Sequence, residues 1–293
     1  MHRFLIVTAD DFGLHELVNE GIEQASRAGV LTAASLMMAA PAVEDAVRRA
    51  KKLPDLRVGL HVVLADGLGC LPPELIPGLV DAAGRMDGRM FTRGVRYFAS
   101  PTVRRQLAAE IHAQFAAFAR TGLNLDHVNV HKHFHLHPTL LDMLLTIGPQ
   151  YGMTAVRVPD EPLWFAAQAG WSAAAGAALL APWIMRMKQR LHRARMLHND
   201  RIFGVAASGA MDENTMLEIL RRLPPGVTEI YLHPATQSGS VVAPSMPAYR
   251  HADELAALLS PRVRAAIAAA HAGLGGYADV ERFGVGARSG TSR

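Results

Sequence analysis

Residues 4–13 read FLIVTADDFG, an apolar run that stops abruptly at two adjacent aspartates, Asp10 and Asp11. Such a run reads as a buried strand with its polar residues at the carboxyl end. No Gly-x-Gly-x-x-Gly follows it, so dinucleotide binding loses its best support. Working outward, similar β-rich runs occur near 33–38, 58–63, 127–131, 155–158, 202–206 and 229–233, with a last one near 276–280. Apolar residues at helical spacing separate them at 43–53, 103–120, 138–151, 214–223 and 252–272. Alternating strands and helices predict an α/β chain with a parallel sheet. About seven such units predict a single (β/α) barrel, a distorted or incomplete TIM-like barrel, over residues 1–282. The segment 163–198 is an insertion in that barrel, and 283–293 is expected to be a disordered tail.

The 293 residues are 50% hydrophobic and 19% charged, a balance able to bury a large interior. A formal charge of +4 is small for this length, and no nucleic-acid partner is expected. Cys70 is the only cysteine, which excludes an intramolecular disulfide and a cysteine-rich zinc site and fits a reducing compartment. The run before Asp10 is too short for the core of a signal peptide, so the mature protein is expected to begin here, in the cytoplasm. Fourteen histidines are many for such a chain, and they are crowded.

In a barrel the working residues sit where strands end, and the polar clusters fall there. Burying Asp10 and Asp11 side by side calls for a cation or for hydrogen bonds; a turn or helix cap is the alternative. His61 lies inside the apolar run RVGLHVVL, where a packed histidine would also be ordinary. The stretch LDHVNVHKHFHLHP is different, because it carries His127, His131, His133, His135 and His137 within eleven residues. Period-two spacing would put several imidazoles on one side of a strand. Neutral imidazole with carboxylate suits zinc or a similar divalent ion and leaves coordination positions open for water and substrate. His233, in EIYLHPAT, again precedes a proline, and Arg157, in AVRVP, ends another strand. Arg157 could orient a carboxylate or hydroxyl, or be a surface residue.

With these motifs the sequence resembles the YdjC-like carbohydrate deacetylases, which include chitooligosaccharide deacetylases. The resemblance runs from TADDFG through GLHVVL and the histidine-rich strand to YLHP. It implies Asp10 as catalytic base, Asp11, His61 and His131 as ligands of one divalent metal ion, and His233 as the acid or transition-state stabiliser. His133 and Arg157 are placed toward the substrate. Zinc or magnesium is the expected ion, with manganese and cobalt also compatible. One position departs from the pattern: Asn129 stands where the family often has an aspartate, two residues before the metal-binding histidine. VNVHKHFHLHP followed by APW, a basic run and FGVAASGAM is most similar to the branch associated with hopanoid biosynthesis. That branch implies a lipid-linked N-acetylglucosamine as substrate; a soluble chitooligosaccharide is the alternative.

From 163 to 185 the chain has no charged residue, and then Arg186, Lys188, Arg190, Arg193 and Arg195 follow. Gln168, Pro182 and many small residues argue against a membrane span. Trp164, Trp171 and Trp183 with the basic run suit peripheral contact at the inner face of a membrane, or else a lid or homo-oligomer element. Two further readings compete with the deacetylase: a metal-dependent phosphoesterase, which would want two metals and more carboxylates, and a non-enzymatic metal- or lipid-binding module, which would not need Asp10.

Overall fold

The computed structural model describes residues 2–283, and the tail expected at 283–293 lies outside them apart from residue 283. The central strand is β1 (Arg3–Phe12), buried from Phe4 onward. It is followed by α1 (Glu16–Ala28), β2 (Ala33–Leu36), α2 (Val43–Ala50) and β3 (Arg57–Val62). A hairpin of β4 (Gly67–Leu68) and β5 (Arg85–Met86) leads into α3 (Met90–Ala99) and α4 (Pro101–Arg120). After β6 (Val128–Val130) come α5 (Pro138–Ile147), α6 (Leu163–Ala166) and α7 (Trp171–Arg193). The chain then runs through β7 (Arg201–Phe203), α8 (Glu213–Arg221), β8 (Gly226–Leu232), α9 (His251–Leu259), α10 (Pro261–Ala269) and β9 (Gly273–Leu274).

The main sheet is parallel in the order β6-β3-β2-β1-β8-β7, with β9 paired to the start of β1. Alternation along the strands separates two apolar layers. Leu5, Val7 and Ala9 point outward into the large core beneath the helices. Phe4 and Ile6 point inward, where Ala33, Ala155, Val227, Tyr277 and Val280 join them in a small apolar floor. Above that floor the same inward positions turn polar: Thr8 and Asp10 on β1, Ser35 on β2, His61 on β3, Asn129 on β6 and Glu229 on β8. All six are buried.

Between β6 and β7 the barrel is closed only by sparse contacts. The expected strand at 155–158 exists as isolated bridges, Val128 to Val156 and Ala155 to Leu197. Two residues further along, a side chain substitutes for the missing strand: Asn199 accepts from the Val158 N–H and donates to the Val158 carbonyl, both at 2.7 Å. The barrel is therefore complete as a hydrogen-bonded circuit but distorted at this seam.

Three expectations are corrected. Residues 276–280 are not a strand; Asp126 accepts the N–H groups of Tyr277 and Ala278 and Asp279 accepts that of Gly276, which winds Tyr277–Phe283 into a 3-10 turn. The helix at 252–272 is two helices, because Pro261 cannot continue the first and Ser260 caps the second. The histidine-rich strand ends at Val130, since Lys132 and His133 adopt left-handed φ of 56° and 53° and turn the chain away. Helices α1 and α3 were not anticipated, although Val18, Ile22 and Ala25 mark the buried stripe of α1.

Replacing Asn199 with alanine strips both partners from the Val158 peptide groups. Each buried orphan costs about 1–3 kcal/mol, so urea unfolding is expected to register a loss of about 2–5 kcal/mol. A loss below about 1 kcal/mol would mean that the seam is not held by this amide.

Candidate metal centre

Asp10 follows the inward alternation of β1, and its partners lie inside the barrel. Arg157 grips it bidentately, Nη1 to Oδ2 at 2.5 Å and Nη2 to Oδ1 at 2.9 Å, and Asn129 Nδ2 donates to Oδ1 at 3.0 Å. The same guanidinium reaches Glu229 at 3.0 and 2.8 Å. Thr8 donates to Glu229 Oε1 at 2.6 Å, and the Tyr277 hydroxyl lies 2.7 Å from Oε2. Burial alone would push the Asp10 carboxyl up, but the Arg157 charge and hydrogen bonds, helped by His61 and His233, hold it well below the usual carboxylate range.

Asp11 leaves the alternation. Its φ of +61° places it in the left-handed region, which is strained for a residue with a Cβ. The pairing of β1 with β2 shifts between Ala9 and Phe12, and beyond it the Gly13 N–H is fixed by Asn19 Oδ1 at 2.8 Å. Two successive aspartates thus serve different neighbours. Asp11 Oδ1 lies 3.4 Å from His61 Nε2 and 3.4 Å from His131 Nδ1, while the two imidazole nitrogens are 3.1 Å apart. All three residues are buried, and their ligand atoms lie within 4.8 Å of one another. Both Asp11 oxygens are buried without a hydrogen-bond partner.

A buried, unpartnered carboxylate facing two imidazole lone pairs fits a divalent cation and is costly without one. The environment keeps the donors ready. Burial pushes the His61 imidazole down to about 4, so it is neutral. His61 Nδ1 faces Asn129 Oδ1 at 2.7 Å, and because the Asn129 amide nitrogen is committed to Asp10 and to Ser35 (3.0 Å), its oxygen must accept. The His61 proton therefore sits on Nδ1 and Nε2 presents a lone pair to the cluster. Asn129, the departure noted in the sequence, is a neutral bridge from the candidate ligand His61 to Asp10.

His233 stands at the end of β8 with its backbone held on both sides. Its N–H donates to Glu254 Oε2 at 2.5 Å, and its carbonyl accepts from His251 Nδ1 at 2.6 Å. Its ring packs on Tyr231 and Tyr249, and its buried Nδ1 has no partner. His133 lies 3.1 Å from the Tyr231 hydroxyl. The structure does not bring Arg157 to a cavity wall: it is 0% exposed and committed to Asp10 and Glu229, so it has no face for substrate. His127 and His135 also serve the interior, His127 between Ser35 and Asp126 and His135 on the Arg157 carbonyl. Sequence reasoning missed Glu229, Tyr231, Tyr249, His251 and Glu254. A glutamate inside the apolar strand 226–232 was the one legible signal among them.

A cavity of about 620 Å³ opens beside His131, walled largely by Leu14, Met37, Val63, Leu68, Met86 and Val241, with Asp66, Asp81, Arg85 and Asp87 also lining it. Among the described residues the Asp11, His61, His131 group is the one cluster of three side chains able to hold a metal. A two-metal phosphoesterase site therefore finds no second ligand set there.

Comparison with known proteins agrees in kind. A family profile described as YdjC-like protein matches residues 4–269. A carbohydrate deacetylase of Geobacillus stearothermophilus is 30% identical over 92% of this chain and 94% of its own length. A chitooligosaccharide deacetylase of Klebsiella pneumoniae is 28% identical over 96% and 100%. A carbohydrate deacetylase of Brevibacillus brevis is 39% identical over 55% of this chain, and the match spans only 59% of that protein. Among solved structures, a cellobiose-phosphate cleavage protein candidate from Enterococcus faecalis V583 superposes with a TM-score of 0.76 at 24% identity, over 95% of this chain and 99% of its own, and so shares the fold.

Replacing Arg157 with methionine leaves Asp10 and Glu229 buried without their countercharge. A loss of about 3–5 kcal/mol in urea unfolding is expected, largely recovered when Asp10→Asn and Glu229→Gln are added. No recovery in the triple variant would show that the packing of the guanidinium, not its charge, holds the barrel together.

Proposed function

The chain belongs to the YdjC-like protein family, and on that premise we propose that it is a metal-dependent hydrolase removing the acetyl group from the nitrogen of an N-acetylglucosamine-type sugar. The observation that carries this reading is the unpartnered Asp11 carboxylate facing His61 and His131, with a restrained Asp10 beside it. Asp11, His61 and His131 would hold one divalent ion. When bound, such an ion lowers the pKa of water and polarises a carbonyl oxygen. The mixed nitrogen and oxygen donors suit zinc or magnesium, and also manganese or cobalt.

The chain's own residues account for the proton movements. Asp10 is the general base that takes a proton from the water attacking the acetyl carbon. Arg157 keeps it ionised and aimed, while Glu229, sharing that guanidinium, offsets part of the charge that would otherwise make Asp10 too weak a base. The amine nitrogen cannot leave without a proton. His233 supplies it, its imidazole fixed by the backbone bonds to Glu254 and His251. The C–N bond then breaks to acetate and free amine. His133, beside Tyr231 at the mouth, contacts the sugar, and Arg157 acts through Asp10 instead.

The apolar wall of the 620 Å³ cavity favours a sugar carrying an apolar aglycone, a lipid-linked glycoside, over a soluble chitooligosaccharide. On this reading the chain works in the cytoplasm, in peripheral contact with the membrane through 163–198.

Asp10→Asn is expected to keep its metal and lose about 10²–10⁴-fold in acetate release, as removal of a general base does. His61→Ala is expected to lose both metal and activity. Asn129→Leu should weaken metal affinity about 10–100-fold by freeing the His61 ring. Elemental analysis with an acetate assay checks all three; equal metal loss in the Asp10 and His61 variants refutes this division of roles. Faster acetate release from the soluble oligosaccharide than from the glycolipid refutes the lipid-linked substrate.

A further inference from the structure

Helix α7 is built in two unlike halves. Its second half is anchored by the buried residues Ile184, Met187 and Leu191. Its first half, 171–183, has no buried residue and no charged one. Thirteen residues, about 20 Å of helix, therefore present apolar and small side chains to their surroundings. Trp171 is 86% exposed and Leu179 82%, with Leu180 and Trp183 also exposed. The inner side fares no better, because a cavity of about 770 Å³ lies between this half-helix and the barrel, lined by Leu163, Trp164, Ala173, Ala177 and Leu180.

A second apolar face, from a distant part of the sequence, lies beside the same loop. On α3, Phe91 is 87% exposed and Phe98 66%, with Val95 between them. The two helices touch one segment, His131–Leu136, at positions two residues apart. The Tyr97 ring of α3 lies 5.5 Å from that of Phe134, tilted by 36°, while the Trp183 indole of α7 donates to the Leu136 carbonyl. That segment leaves the barrel at its metal-binding end and begins with the candidate ligand His131. Apolar faces of this size on a folded chain mark an interaction surface.

Charge decides what covers it. Arg186, Arg193 and Arg195, exposed beyond the apolar half of α7, make no ion pair among the described residues. Arg96, Arg104 and Arg105 are exposed beside the apolar face of α3. A second copy meeting this face by two-fold symmetry would bring like charges together, whereas an anionic bilayer attracts both sets. No helix among the described residues is long and apolar enough to cross a membrane, so the contact is one of lying on the surface.

We propose that α3 and the first half of α7 together form a docking face for an anionic lipid bilayer, with Trp171, Leu179, Phe91 and Phe98 entering the interface and the flanking arginines meeting the headgroups. Both helices touch the histidine-rich loop, so docking brings the mouth of the candidate site close to the lipid. The inference rests, for its purpose, on the reading of a lipid-linked sugar as substrate. It extends the contact from one segment to two helices.

The full chain is tested for co-sedimentation with vesicles of phosphatidylcholine alone and of phosphatidylcholine mixed with phosphatidylglycerol. Binding to the mixed vesicles is expected, weakened by added salt, and weakened roughly tenfold or more in each of Trp171→Ala/Leu179→Ala and Phe91→Ala/Phe98→Ala. Acetate release from a soluble N-acetylated chitooligosaccharide is expected to be unchanged in both variants, which shows that they remain folded. Absence of vesicle binding by the intact chain overturns the proposal, as does full binding by the Phe91/Phe98 variant. Light scattering that finds a dimer, split by the same substitutions, gives the face to a second copy and also overturns it. Vesicle binding by an intact chain that releases no acetate from any N-acetyl sugar supports the docking face while sinking the deacetylase reading.

Discussion

Everything inside this barrel is arranged around one buried positive charge. Arg157, with no exposed surface, holds Asp10 with one side of its guanidinium and Glu229 with the other. Removing such ions from water costs several kcal/mol apiece after relaxation, so the group persists only because its hydrogen bonds are nearly all made within the barrel. Two carboxylates on one guanidinium leave a net charge of −1, and Asp11 alongside makes it −2. A divalent cation would balance that excess. The ion pair and the candidate metal centre are in this sense one electrostatic unit, joined through Asn129.

That unit is tied to parts of the chain far from it. Asp126 accepts from the backbone of Tyr277 and Ala278, Tyr277 reaches Glu229, Glu229 shares Arg157 with Asp10, and Asn129 and Ser35 lead back to His127 and Asp126. The circuit closes on itself inside the barrel. A residue near the end of the described chain therefore bears on the geometry of the first strand. Networks of this kind are fully satisfied or they are liabilities. None of the eight side chains in this one has a buried polar atom without a partner.

How far the sequence disclosed this follows from which physical rule was in force. Strand burial and the period of two made the barrel legible, together with Asp10, Asp11, His61, His131 and His233, because each stands within or at the end of an apolar run. The direction of Arg157 was not legible. Its inward position follows from alternation, but its partner Glu229 could be recognised only once β1 and β8 were known to be neighbours, with Ile6 opposite Glu229. Likewise α3 carries no striking pattern until its exposed Phe91 and Phe98 are seen, since sequence periodicity does not say whether an apolar stripe has found a partner. The strand expected at 276–280 failed for a local reason, the capture of backbone N–H groups by Asp126 and Asp279, a competition that propensity cannot register.

The histidine run shows why alternation could be trusted to Val130 and no further. Left-handed backbone at a residue bearing a Cβ costs on the order of 1–3 kcal/mol, and it recurs here at Asp11, Asp66, Lys132 and His133. All four lie at or just beyond the carboxyl ends of strands, and Lys132 and Asp66 are joined by an ion pair at 2.5 Å. A relaxed continuation of β6 would have carried His133 and His135 up the barrel wall in line with His131. The strained turn instead keeps His131 beside His61 and Asp11, sends His133 to Tyr231, and lays His135 against the carbonyl of Arg157. The strain at the mouth thus separates residues that a regular strand would have stacked. It lets a single short segment reach the candidate metal centre, Tyr231 and the buried ion pair at once.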